Sequence, residues 1–153
     1  PLRVYVMGQR GLDREPATTA DMQRMGELAK EAMAAGALGI ATSRSLNHRS
    51  SDHHLLPGVS AAEGELVAIG AGLHQGGAGV LQLIADFDEP ESDFAMLRRV
   101  AEKIELPVMF SLMQVPHAPT RWRTGRGHTS TPVGHRSMAI DSDQPLSANF
   151  DAQ

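Results

Sequence analysis

The chain has no cysteine at all, which removes disulfides, thiolate nucleophiles and thiolate zinc sites together and leaves only His, Asp and Glu as possible metal ligands. It has no apolar run near the ~20 residues of a membrane span, and residues 1–6 lack the layout of a signal peptide. It also has no run of five basic residues. With Lys+Arg 14 against Asp+Glu 18 and a formal net charge of -4, nothing in it forms an electrostatic footprint for nucleic acid or for an anionic membrane surface. There is no G-x-S-x-G elbow around Ser43, so serine-type covalent catalysis has no signature. The glycines at 76, 77 and 79 precede an apolar run instead of following one, so they read as a turn and not as a phosphate cradle. The missing cysteines fit a cytoplasmic protein, and the charge pattern disfavours phosphate-backbone partners. Pro1 stands where an initiator Met would be, as expected of a chain that begins inside a longer protein or after processing.

What is present is an alternating pattern. With 41% hydrophobic residues in 153, the chain has enough apolar surface for one ordinary core. Residues 2–7 are short, β-branched and aromatic before Gly8, which predicts a buried first strand. Thr18 with Asp21 three residues on opens a predicted helix carrying Met22, Met25, Ala29, Ala32 and Met33, and Gly36 supplies its stop. Residues 38–42 follow as a second strand. Ser60 with Glu63 opens a second helix carrying Leu66, Val67, Ile69 and Leu73, ended at Gly76 and Gly77, and residues 80–84 form a third strand. A third helix carries Phe94, Leu97, Val100, Ala101 and Ile104 at three- and four-residue steps, and residues 107–113 form a fourth strand. Four strands alternating with three helices predict an α/β class with parallel strands, because right-handed helical crossovers make neighbours parallel. Either part of a barrel or an open doubly wound sheet satisfies the spacing. From residue 124 to 153 Ser, Thr, Gly, Pro, His and Asp dominate and the period is lost, which predicts a polar, disordered tail behind an ordered segment of residues 1–123.

In such folds ligands gather beyond the C-terminal ends of the strands. After the second strand come Ser43, Arg44, Ser45, Leu46, Asn47, His48 and Arg49. Two guanidinium forks, a hydroxyl and an imidazole suit a carboxylate, so Ser43, Arg44, His48 and Arg49 are the substrate-binding candidates; the bland alternative is a solvated loop in which Arg44 pairs with a nearby acid. His48, His53 and His54 share this loop, but adjacent histidines point apart and no carboxylate recurs at a fixed step, so no metal site is assigned. Asp86, following the third strand, is the one candidate for a catalytic carboxylate, with Asp88 behind it; either serves equally well to bind loop amides. His117, between Pro116 and Pro119, reads as a rigid loop residue.

These residues also carry a resemblance. The run LRVYVMG at 2–8, AGALGIATSR at 35–44 with His48, Arg49, Pro57 and Gly58, GVLQLIAD at 79–86, PVMFSLMQ at 107–114, and Arg121 with Trp122 and Arg123 resemble the central region of the N-acyl-D-amino-acid deacylase (D-aminoacylase) branch of the amidohydrolase superfamily. The resemblance covers about residues 1–123. It implies part of a (β/α)8 barrel, a hydrolase acting on a non-peptide C–N amide bond, and a small N-acyl amino acid or amide as substrate. It implies zinc for the full-length family, a metal-bound water attacking the amide carbonyl and a carboxylate moving the proton. The family's H-x-H pair, bridging cysteine and late catalytic Asp have no counterpart here. Two further ligand histidines are replaced around Gln82 and in residues 110–114. The resemblance thus implies a fragment that is inactive alone. A pattern lost this abruptly after Arg123 is what a shifted reading frame would leave. The rival expectations are a non-catalytic α/β module that binds a small anion or self-associates through exposed strand edges, and an open-sheet enzyme using Asp86.

Overall fold

The computed structural model describes residues 2–77, 79–112 and, as backbone, 136–140. The chain runs through helices α1 (Leu2–Met7), α2 (Gln9–Leu12) and α3 (Thr19–Ala34), strand β1 (Gly39–Ser43), a 3-10 turn (Pro57–Ser60), helix α4 (Glu63–Gln75), strand β2 (Val80–Ile84), helix α5 (Pro90–Ile104), and strands β3 (Val108–Leu112) and β4 (Arg136–Ile140). The sheet order is β1-β2-β3-β4. The first three strands are parallel, with Gly39 beside Val80 and Leu81 beside Val108, and each successive pair is joined through a helix. This is the α/β class expected, with alternating βα units of the kind that build an amidohydrolase barrel.

Local chemistry explains most boundaries. Thr18 accepts from the Asp21 amide while the Asp21 carboxylate accepts from the Thr18 amide at 2.8 Å, a reciprocal capping box that satisfies two otherwise orphaned donors at the start of α3. Gly36 takes φ 96° just beyond its end, a conformation that a Cβ would resist. Helices α3 and α4 cross backbone to backbone: a Cβ on Gly72 would fall on the Gly26 carbonyl.

Two expectations are corrected. Residues 2–7 form a helix and not a strand. Strand propensity is a weak signal that tertiary contacts override, and here Arg3 and Met7, one helical turn apart, are both buried whereas Tyr5 is 76% exposed. Buried positions four apart match a helical period and not a two-residue one. Ser60 does not open α4 either; its hydroxyl donates to the Arg14 carbonyl at 3.2 Å, and the helix begins at Glu63 after Ala62. The segment read as a tail lies mostly outside the described residues, but Arg136–Ile140 within it is a strand, paired antiparallel to β3 with Phe110 opposite Met138. A short apolar run, Met138 to Ile140, there meets the backbone groups that β3 leaves open on its far side.

The core lies between the sheet and the helices on one of its faces. Leu81, Leu83, Val108 and Phe110 are fully buried and share a cluster with Leu66 and Leu73 of α4 and Phe94, Leu97 and Val100 of α5. The other face, carrying Ala41, Ser43, Gln82, Ile84, Met109 and Ser111 in register, remains part-exposed or exposed. Phe87, Phe94 and Phe110 pack ring on ring with centroids 4.8 to 5.3 Å apart. Beneath α1, Arg3 and Glu65 form a buried ion pair at 3.1 Å.

Candidate functional site

The loop after β1 and the end of β2 form one hydrogen-bonded unit. The Arg44 amide continues the β1–β2 ladder by donating to the Ile84 carbonyl at 2.7 Å, which brings residues 43–47 beside Asp86. The Asp86 carboxylate accepts from the Ser45 hydroxyl, from the Leu46 amide at 2.7 Å and from the Asn47 side chain at 3.1 Å. Burial pushes its carboxyl up, but these three donors and the nearby His48 outweigh that effect and hold it below its ordinary value. Asp86 is therefore an ionised anchor whose oxygens are turned to the loop. Phe87, the next residue, sits at φ 53°, a costly conformation for a bulky side chain, and its ring is locked by stacking on Phe94 at 4.8 Å.

Within the anchored loop, Ser43 Oγ and His48 Nδ1 are 2.8 Å apart, and the Ser45 amide donates to the same hydroxyl at 3.3 Å. Arg44 is turned inward: its guanidinium donates to the Ala61 carbonyl and faces Asp93, whose carboxyl burial pushes up against the pull of Arg44. Arg49 is exposed and uses one donor on the His53 carbonyl at 2.9 Å. The structure thus brings Ser43, His48 and Asp86 together, commits Arg44 to the scaffold and leaves Arg49 at the rim. Ser45 and Asn47 are members of the unit that sequence reasoning passed over; a buried Ser and an Asn flanking a loop apex are common hydrogen-bonding loop residues, and only their shared acceptor distinguishes them.

The other titratable candidates lie apart. An isolated antiparallel bridge joins Arg49 to Leu55, so residues 50–54 form a projecting turn with His53 at φ 64° and His54 beside Asp52 at 3.8 Å. His117 and residues 113–123 lie outside the described residues. The zinc implied for the full-length family does not fit what is here: among the described residues no three His, Asp or Glu side chains are placed to hold an ion. The middle-strand positions carry Gln82, Met109 and Ser111, whose amide, thioether and hydroxyl are poor substitutes for imidazole or carboxylate.

Beside this loop a cavity of about 310 Å³ runs along β1, lined by Ile40 to Ser43, by Leu2, Leu56 and Ile69, and by the open-face residues Gln82 and Ile84. Among the described residues no helix is long and apolar enough to cross a membrane. No curated protein and no solved structure matches the chain. A family model described as the amidohydrolase family matches residues 2–149, extending past residue 123, where the motif resemblance ends. The parallel βα units and this match over nearly the whole chain establish that it belongs to the amidohydrolase family.

Proposed function

We propose that this chain supplies the substrate-facing loop of an N-acyl-D-amino-acid deacylase, acts in the cytoplasm, and is catalytically incomplete by itself. The observation that carries the reading is the Ser43–His48 hydrogen bond on a loop anchored by Asp86 at the C-terminal ends of two parallel strands. That is where barrel enzymes bind substrate. Ser43 and His48 offer a donor and an acceptor for an amide group. Arg49, with one donor engaged on His53, has others for the substrate carboxylate. Arg44, held by the Ala61 carbonyl, positions the loop from beneath.

The test is isothermal titration of the purified chain with N-acetyl-D-leucine and its L enantiomer, alongside an assay for released amine. The expected result is saturable binding that favours the D form, at least tenfold weaker in Arg49→Ala, without turnover. Equal heats for the two enantiomers, or binding unaffected by Arg49→Ala, would remove the deacylase assignment while leaving family membership intact.

A further inference from the structure

Ser45, 1% exposed, ties the loop after β1 together. Its hydroxyl donates to the Asp86 carboxylate and accepts from the Asn47 amide at 3.1 Å, and its carbonyl accepts from the His48 amide at 3.4 Å. Its own amide donates to the Ser43 hydroxyl at 3.3 Å. Ser43 and His48 are thus both fixed to one buried residue, and their 2.8 Å contact joins Ser43 Oγ to the Nδ1 side of the imidazole.

A serine hydroxyl has one proton to give and two lone pairs to accept with. The Ser45 amide takes one lone pair of Ser43 Oγ. If His48 Nδ1 carried a proton it would take the other, and the Ser43 hydroxyl proton would have no acceptor among the described residues. If Nδ1 is bare, the hydroxyl donates to it, and each donor has an acceptor: Ser45 N–H to Ser43 Oγ, Ser43 O–H to His48 Nδ1. Each bond in such a chain polarises the next. The hydrogen bond at one ring nitrogen sets the state of the other, so neutral His48 carries its proton on Nε2.

We propose that His48 is a neutral donor whose Nε2–H binds the acyl carbonyl oxygen of the substrate amide, with Ser43 as the positioning residue that fixes its tautomer. With Nδ1 occupied by Ser43 and Nε2 protonated, the ring has no free lone pair. His48 then serves neither as a general base nor as a metal ligand. Its part-buried ring has a single described side-chain hydrogen bond, the one at Nδ1, so Nε2–H is the group it offers to a ligand. A carbonyl oxygen suits a neutral N–H, whereas a carboxylate suits the charged planar fork of Arg49, the next residue. A neutral imidazole N–H held in place also polarises a carbonyl without adding charge to the site. The choice of ligand rests on the deacylase reading; the tautomer rests on the loop alone.

Two measurements on the full chain test this. Long-range proton–nitrogen NMR correlations of the His48 ring, assigned by their loss in His48→Gln and recorded at a pH above the end of its titration, should show the Nε2–H form, with an Nδ1–H fraction emerging in Ser43→Ala. An Nδ1–H ring in the unaltered chain, or no change in Ser43→Ala, overturns the proposal. Isothermal titration then compares N-acetyl-D-leucine with N-thioacetyl-D-leucine, in which a weakly accepting sulfur replaces the carbonyl oxygen and the protein is untouched. The oxygen ligand should bind about fivefold tighter or more, a preference kept in His48→Gln, which retains a side-chain N–H donor, and lost in His48→Phe. Equal affinities in the unaltered chain, or a preference that survives in His48→Phe, overturn the donor role even where the D enantiomer is favoured. A His48-dependent oxygen preference with equal binding of the two enantiomers upholds the donor role and removes the D-amino-acid reading instead. No binding of any of these ligands overturns both.

Discussion

Replacing Glu65 by Leu should be among the most damaging single changes in this chain. Glu65 and Arg3 have side chains only 4% and 5% exposed, so solvent does little to screen either charge. The Arg3 Nε donates to both Glu65 oxygens at 3.1 Å, and the remaining nitrogens donate to the Pro57 carbonyl at 3.2 Å and to the Glu15 carbonyl. Glu65→Leu leaves the guanidinium buried without its counter-charge, a loss of about 3–5 kcal/mol, which is a large part of an ordinary domain's stability. With a urea dependence of about 2 kcal/mol per molar, the unfolding midpoint followed by circular dichroism should fall by roughly 2 M. Glu65→Gln, which keeps one acceptor oxygen, should lie between. The double variant Arg3→Met with Glu65→Leu removes both charges and leaves two carbonyls without their donor, at about 0.5–1.5 kcal/mol each. It should therefore recover about half of the loss. A single variant costing under about 1 kcal/mol, or a double variant no better than the single, would refute the view that α1 is held by a desolvated charge pair.

Asp86→Ala should free the loop without unfolding the domain: hydrogen exchange at the Leu46 amide should quicken, with a stability loss of about 1–2 kcal/mol, reduced from the usual value for a charged acceptor because Asp86 is part-exposed. Unchanged exchange would mean that the carboxylate does not anchor the loop. Glu63 is held at about 2, against its ordinary 4.5, by Arg99 and Lys103 of α5, and Asp21 at about 2 by the Thr18 amide and hydroxyl with Arg10. Both folded values lie below the unfolded ones, so the stability they contribute is complete above about pH 4.5 and is lost as the pH falls toward 2. Urea midpoints across that window should show a decline that Glu63→Gln flattens; an equally steep decline in the variant would discount the α4–α5 clamp. Gly72→Ala, whose added methyl meets the Gly26 backbone, should cost about 1–3 kcal/mol by separating α3 from α4, read from thermal unfolding; a neutral result would show that the crossing yields.

Much of this protein could be read in the sequence because its signals are local. The Thr18–Asp21 cap, the glycine after α3, the three- and four-residue steps of Phe94, Leu97, Val100, Ala101 and Ile104, and the run at 80–84 each express a preference of a few neighbouring residues, and the structure keeps them. Together with the family motifs they determined the α/β class, and they singled out the loop after β1 as the candidate site. What depended on residues distant in sequence was decided only by the tertiary structure. Residues 2–7 have strand composition, yet Arg3 must reach Glu65, 62 positions away, and the helix puts Arg3 and Met7 on one buried side. The roles within the loop followed the same rule. Ser43, Arg44, His48, Arg49 and Asp86 were visible as residue types, but that Asp86 spends its oxygens on Ser45, Leu46 and Asn47 some 40 positions earlier, and that Arg44 turns to Ala61, are consequences of the β1–β2 register. A hydrogen bond has a partner and a direction, and a sequence specifies neither until the chain has closed on itself.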